Sequence, residues 1–191
     1  FLVLRDGAVI ENTGQTFRSF LQDGFQGHRA TMDDWVTHLN TLFPEVRLKR
    51  TLEVRGGDSQ PADLVMGPAA LYTGIFYDDR ALAEVEAIVE SFDAAELTTL
   101  RREVCEGGPR AVFQGRPCGE VAQRLVEAAR GGLSRRNRPN DRGQDETLFL
   151  QPLEARLASL RCPADELLDA YAGAGGGEPG LRAALLGVAR L

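Results

Sequence analysis

The 191-residue chain carries one lysine, Lys49, among 22 basic side chains, and only two histidines, one tryptophan and three cysteines. Each shortage excludes something. Cys105, Cys118 and Cys162 are odd in number, widely spaced and without a CxxC pair, and His28 and His38 add too little for a zinc site. Such usage points to a reducing, cytoplasmic compartment. Neither histidine has a serine or cysteine partner at motif spacing, which excludes a recognisable nucleophilic triad. No apolar run approaches the roughly 18 residues of a membrane span, and no signal-peptide pattern is visible. With a net charge of -6 and no arm rich in Lys or Arg, the chain lacks the footprint of a nucleic-acid binder. An initiator methionine is also missing. The chain opens inside an apparent strand, Phe1 to Leu4, which suggests a piece cut from a longer protein.

What is present is a globular composition, 43% hydrophobic and 26% charged, with one unusual stretch from Phe43 to Asp58. From Val46 to Val54 apolar and polar residues alternate as in a strand. Arg47, Lys49, Thr51, Glu53 and Arg55 share one face; Val46, Leu48, Leu52 and Val54 share the other, with Arg50 intruding among them. Stacked like charges repel unless a carboxylate or a bound anion lies among them. The pattern alone leaves two readings open, the floor of a carboxylate or phosphate site and the solvated outer face of an antiparallel sheet.

The rest of the chain divides into a strand-containing part, residues 1–61, and a helical region, residues 62–191. Asp6-Gly7 turns a first hairpin, and a short helix lies between Thr13 and Gly24. Thr31 caps a helix that stops at Pro44, with Asp33 and Asp34 in its first turn and Trp35 in the core. Further helices are expected over 62–74, 79–92 behind Asp78, 94–104 behind Asp93, 118–136, 146–160, 163–172 and 179–191. The segment 107–119 reads as a loop, as does 137–145. Gly173 to Gly177 lacks the lysine and the strand–turn–helix setting of a phosphate loop and reads as a linker. The sum is an α+β arrangement, a small mixed or antiparallel sheet beside a helix-rich C-terminal block.

Several segments together resemble one family. They are Thr16-Phe17-Arg18-Ser19-Phe20-Leu21, Asp33-Asp34-Trp35 with His38-Leu39, and Thr41-Leu42-Phe43-Pro44-Glu45-Val46-Arg47-Leu48-Lys49-Arg50. Leu52-Glu53-Val54-Arg55-Gly56-Gly57-Asp58 and Tyr77-Asp78 complete the run, with weaker likeness at Glu96 to Arg101, Gly131 to Leu133, Arg135-Arg136 and Pro163 to Tyr171. In this order they resemble the C-terminal half of plant-type and proteobacterial glutamate–cysteine ligases. The resemblance implies part of a glutamine synthetase-like catalytic sheet and an ATP- and Mg²⁺-dependent reaction. ATP phosphorylates the γ-carboxylate of glutamate, and the cysteine amine then displaces phosphate. Such chemistry needs cations around the phosphoryl group and arginine forks on the substrate carboxylates.

Carried over residue by residue, Arg18 matches an arginine expected to hold a glutamate carboxylate. Arg47, Lys49 and Arg55 are candidates for the nucleotide phosphates or the acyl phosphate. Glu53 is either a support that orients the arginines or a metal ligand, with support favoured by its place between cations. Arg50 reads as a structural tie, and Asp58 as a cap on the turn or on the next helix. Two positions depart from the family pattern: Thr51 stands for a tyrosine of the substrate pocket and Tyr72 for a tryptophan, which leaves the amine acceptor open. The acidic metal ligands are expected upstream of Phe1, so no residue here is assigned to metal; Asp33-Asp34 and Asp78-Asp79 read as helix N-terminal carboxylates. The implied partners are glutamate, cysteine and a missing N-terminal half, with homodimerisation possible through an uncovered strand edge. An isolated chain is expected to be inactive. The alternatives are a ligase that joins glutamate to another amine, a non-catalytic anion- or nucleotide-binding module, and a domain whose charged strand merely packs against a neighbour.

Overall fold

The computed structural model describes residues 2–11, 14–48 and 50–189. They fall into two compact units, Phe1–Asp58 and Ser59–Leu191. In the first, β1 (Leu2–Arg5) and β2 (Ala8–Glu11) pair antiparallel with Val3 opposite Ile10. Asp6 and Gly7 make the two-residue turn at φ 50° and 77°. Helix α1 (Phe17–Asp23) is capped by Thr16, whose hydroxyl accepts from the Ser19 amide, and it ends at Gly24. A Cβ at Gly24 would lie 2.5 Å from the His28 carbonyl oxygen, and φ there is +75°, so only glycine closes this end.

Helix α2 (Met32–Thr41) opens on a capping box. The Thr31 hydroxyl accepts from the Asp34 amide, and the Asp34 carboxylate accepts from the Thr31 amide. The same carboxylate accepts two bonds of 2.7 Å from Arg5 at the end of β1, and Arg5 also donates to the Arg29 carbonyl. This clamp joins ribbon to helix above the buried Val3 and Phe20. Asp34 is 3% exposed, and the Arg5 guanidinium, aided by the Thr31 bonds, holds its carboxyl down to about 2 from the ordinary 3.8.

A carboxyl depressed in the folded state stabilises the fold above its unfolded value and loses that contribution as pH falls toward its folded value. The unit is therefore expected to lose about 2 kcal/mol between roughly pH 4 and pH 2. Arg5→Ala leaves a buried, unpaired carboxylate and costs about 3 kcal/mol at neutral pH. Urea titrations followed by Trp35 fluorescence at several pH values check both. An Arg5→Ala midpoint equal to that of the parent would contradict the clamp.

The charged stretch is not one strand. Val46–Leu48 (β3) and Leu52–Val54 (β4) pair antiparallel, with Arg47 opposite Glu53 and Leu48 opposite Leu52. Arg50 and Thr51 are exposed and lie in a bend ahead of β4. The expected place of Arg50 on an apolar strand face thus disappears. Trp35 also departs from expectation: it is 40% exposed and packs obliquely on the Phe17 ring at 5.0 Å, where a core position had been expected.

The second unit is built around α6 (Cys118–Arg136), which packs on α3 (Gly67–Phe76), α4 (Asp79–Val89) and α7 (Gln151–Ser159). Ala70, Ile75, Val126, Ala129, Leu133 and Leu150 form its core. Helix α3 begins later than expected, because residues 62–66 turn before Pro68 sets the first helical turn. Helix α5 (Ala94–Gly107) is capped by Asp93. The expected loop 107–119 contains a short ribbon, β5 (Val112–Phe113) with β6 (Arg116–Pro117), turned by Gln114 and Gly115 at φ 50° and 78°. Residues 146–150 form a 3-10 turn before α7, and α8 (Pro163–Gly173) and α9 (Gly177–Ala189) pack on each other. Among the described residues all strand pairs are two-stranded antiparallel ribbons, and helices dominate; the architecture is α+β.

Candidate functional site

The β3–β4 ribbon assembles the charges. Antiparallel register places Arg47 and Glu53 directly across from each other, so their side chains leave on one face. Arg47 donates through Nε (2.9 Å) and Nη2 (2.7 Å) to Glu53 Oε2, while Arg55 donates through Nη1 to Glu53 Oε1 at 3.1 Å. One carboxylate therefore joins two guanidiniums and leaves the row with a net positive charge. The Arg55 guanidinium lies 5.3 Å from the centre of the Phe43 ring, and its backbone amide donates to the Glu45 carbonyl at 2.7 Å. Arg47 is the most covered of the three, with 19% of its side chain exposed. Both arginines are thus held on the ribbon before any anion arrives. Phe43, the platform under Arg55, was given no role of its own by the sequence reading, although it opens the charged stretch.

Lys49 lies outside the described residues, and Thr51 is exposed in the bend ahead of β4. Arg18 stands exposed on α1 at the edge of a cavity of about 540 Å³ lined by Phe17, Leu21, Ala30, Thr31, Met32 and Trp35. Among the described residues it forms no ion pair. A second cavity of about 350 Å³ runs between α2 and β3 and is lined by Val36, Leu39, Leu42, Val46 and Arg47 among others. Tyr72 belongs to the second unit, on α3, with its ring stacked on Phe76 at 5.9 Å. Asp58 is exposed, and the N-cap of the next helix is Met66.

Among the described residues no three Asp, Glu, His or Cys side chains converge as a metal site. The aspartates that open helices are engaged elsewhere. Asp34 is clamped by Arg5, and Asp78 caps α4 while accepting two bonds from Arg135, which hold its carboxyl well below the usual carboxylate range.

A pre-set arginine row beside apolar cavities is suited to substrates that carry carboxylates or phosphates. Comparison with known proteins supplies the family. Residues 3–182 match glutamate-cysteine ligase family 2 (GCS2). Glutamate–cysteine ligase A, chloroplastic, of Oryza sativa subsp. indica is 33% identical over 174 residues, which cover 90% of this chain and 34% of that protein. The chloroplastic enzyme of Nicotiana tabacum is 35% identical over 176 residues (91% and 33%), and that of Arabidopsis thaliana 34% identical over 176 (91% and 33%). The chain belongs to glutamate–cysteine ligase family 2. It spans about a third of the length of these relatives.

The relatives overturn the cytoplasmic expectation, since they are named as chloroplastic proteins. Cysteine usage speaks to whether thiols stay reduced, and that condition does not single out one compartment. No helix among the described residues is long and apolar enough to cross a membrane.

Proposed function

We propose that this chain is the C-terminal portion of an ATP-dependent ligase that forms γ-glutamylcysteine from glutamate and cysteine through a γ-glutamyl phosphate. The observation that carries the proposal is the Arg47–Glu53–Arg55 row, set on a ribbon inside a chain that matches the family from residue 3 to 182. Arg47 and Arg55 would face the phosphoryl group in transfer, where charge builds on the equatorial oxygens. Glu53 acts as the support that fixes both forks. Lys49, which follows Arg47 and Leu48 in the sequence, would add a third cation. Arg18, at the mouth of its cavity, would hold a glutamate carboxylate.

The ribbon would belong to a larger glutamine synthetase-like sheet completed by chain outside these residues. The Mg²⁺ ions that such chemistry uses would be held there too. As an isolated fragment the chain would be inactive, and its uncovered ribbon edges would favour pairing with a second copy. The residues at 51 and 72 favour a second reading within the same chemistry. Threonine and tyrosine, where the family pattern has tyrosine and tryptophan, would shape the pocket for an amine other than cysteine.

The test is ADP release from Mg-ATP with glutamate and cysteine, and with other amines, for the chain alone and for the longest product of its gene. Activity confined to the longer product, with the fragment eluting as a dimer by light scattering, is the expected result. Activity in the fragment would refute the missing metal half. Silence from both, with nucleotide or anion binding retained, would move the function to a non-catalytic binding module.

A further inference from the structure

A recess of about 320 Å³ in the second unit lies outside everything assigned above. It opens between the C-terminal end of α4, the β5–β6 ribbon and the first turns of α6. Its floor is apolar: the Phe92 ring meets Phe113 edge-on at 4.8 Å, Phe113 is 4% exposed, and Ile88 and Val121 complete the wall. Its rim is polar and charged, with Glu120 beside two arginines. Gln114 is pinned by two bonds from its side-chain amide, to the Ser91 carbonyl at 3.2 Å and the Glu96 carboxylate at 3.0 Å. Arg116 and Arg124 stand on the same rim.

These two arginines differ from those that bolt the unit together. Arg130 and Arg135 each grip a carboxylate through two nitrogens. Arg116 instead stands 4.0 Å from Glu120, beyond hydrogen-bond length, with 77% of its side chain exposed. Arg124, one helical turn past Glu120, forms no ion pair among the described residues. An exposed contact as long as that between Arg116 and Glu120 contributes little, so an incoming anion displaces it cheaply. Two planar guanidiniums above an aromatic floor match a ligand with one acidic group and a flat apolar body.

We propose that this recess binds a small aryl carboxylate or aryl phosphate. The acidic group lies between Arg116 and Arg124, and the ring lies over Phe92, Phe113 and Val121. The site is independent of the ligase reading, since none of its residues belongs to the ribbon row or to the Arg18 cavity.

Calorimetric titration of the chain with phenyl phosphate, inorganic phosphate and benzyl alcohol tests it. Phenyl phosphate is expected to bind at least tenfold more tightly than either half-ligand. Arg124→Ala and Arg116→Ala are each expected to weaken it about tenfold, and Arg124→Lys to recover only part, because a lysine lacks the fork. Both arginines are on the surface, so unchanged helical circular dichroism is expected of the variants. Amide and side-chain NMR shifts of the unmutated chain, centred on Gln114 and Val121, give an independent readout. Equal affinity for inorganic phosphate would reduce the site to a pair of solvated cations. Absence of binding, shifts remote from Gln114, or indifference to both arginine substitutions would each overturn the proposal.

Discussion

Arg47→Ala, made in the longest product of the gene, is expected to lower kcat by about 10²- to 10³-fold while leaving the fold intact. The size follows from removing one preorganised donor aimed at developing charge, which costs about 3–4 kcal/mol. Arg47 suits that role because its orientation is fixed in advance: it is mostly covered, and Glu53 takes two of its donors at 2.7 and 2.9 Å. Arg47→Lys should rescue little, since an ammonium lacks the rigid fork that sends Nε and Nη2 together to Glu53 Oε2. Glu53→Gln is the informative companion. It keeps an acceptor but removes the charge that holds two guanidiniums side by side, so both arginines drift and kcat falls by a smaller factor. Steady-state kinetics with glutamate varied separate the possibilities. A rise in KM alone would make Arg47 a substrate holder, and a fall in stability with unchanged kinetics would return the row to a purely structural tie.

How this row was visible in the sequence, although its strand was misjudged, has a simple geometric cause. In the antiparallel pairing of β3 with β4, residues equidistant in sequence from position 50 stand opposite each other and share a face. Arg47 and Glu53 therefore share a face in that pairing as they would in one continuous strand. Alternation cannot tell the two apart. The intervening sequence gives no warning either, because Lys49-Arg50-Thr51 includes none of the glycine, proline, asparagine or aspartate that usually punctuates a turn. Helix starts were legible for the opposite reason. Thr31, Asp78, Asp93 and Pro163 act within three or four residues of themselves, so their effect is written locally.

Long-range partners were not legible. Nothing near Arg5 names Asp34, and nothing near Gly74 names Gly132, since both pairs exist only after the chain has folded back. Trp35 was misplaced by a related omission: a tryptophan on an apolar helix face can cover a core or line an open cavity, and the periodicity is the same for both. The cavity beside Arg18 likewise draws on two segments, 17–21 and 30–35, whose approach no single window of sequence records.

Gly74→Ala is expected to unfold the helical unit at ordinary temperatures or to cost it at least about 3 kcal/mol, at the top of the range for overpacked cores. In isolation the change should help, because alanine is favoured over glycine inside a helix by up to about 1 kcal/mol. Tertiary packing reverses the sign. A Cβ on Gly74 would lie 2.3 Å from the Ala129 carbonyl oxygen, and one on Gly132 would lie 1.9 Å from the Gly74 carbonyl oxygen. Both obstacles are backbone, which cannot rotate away as a side-chain tip does, so α3 and α6 would have to separate along their whole contact. Leu133 and Ala129, fully buried at that contact, would lose their packing with it. Gly131 is the built-in control: its Cβ would meet only the end of the Arg135 side chain at 3.2 Å, so Gly131→Ala should be neutral or mildly stabilising. Urea titrations read by circular dichroism at 222 nm distinguish the neighbours. Equal midpoints for the alanine variants at 131 and 132 would show that the helices do not approach this closely. Tyr72 stands two residues before Gly74 on α3. A helix pushed off its neighbour carries that ring with it, and any role of Tyr72 in choosing the amine depends on this close approach.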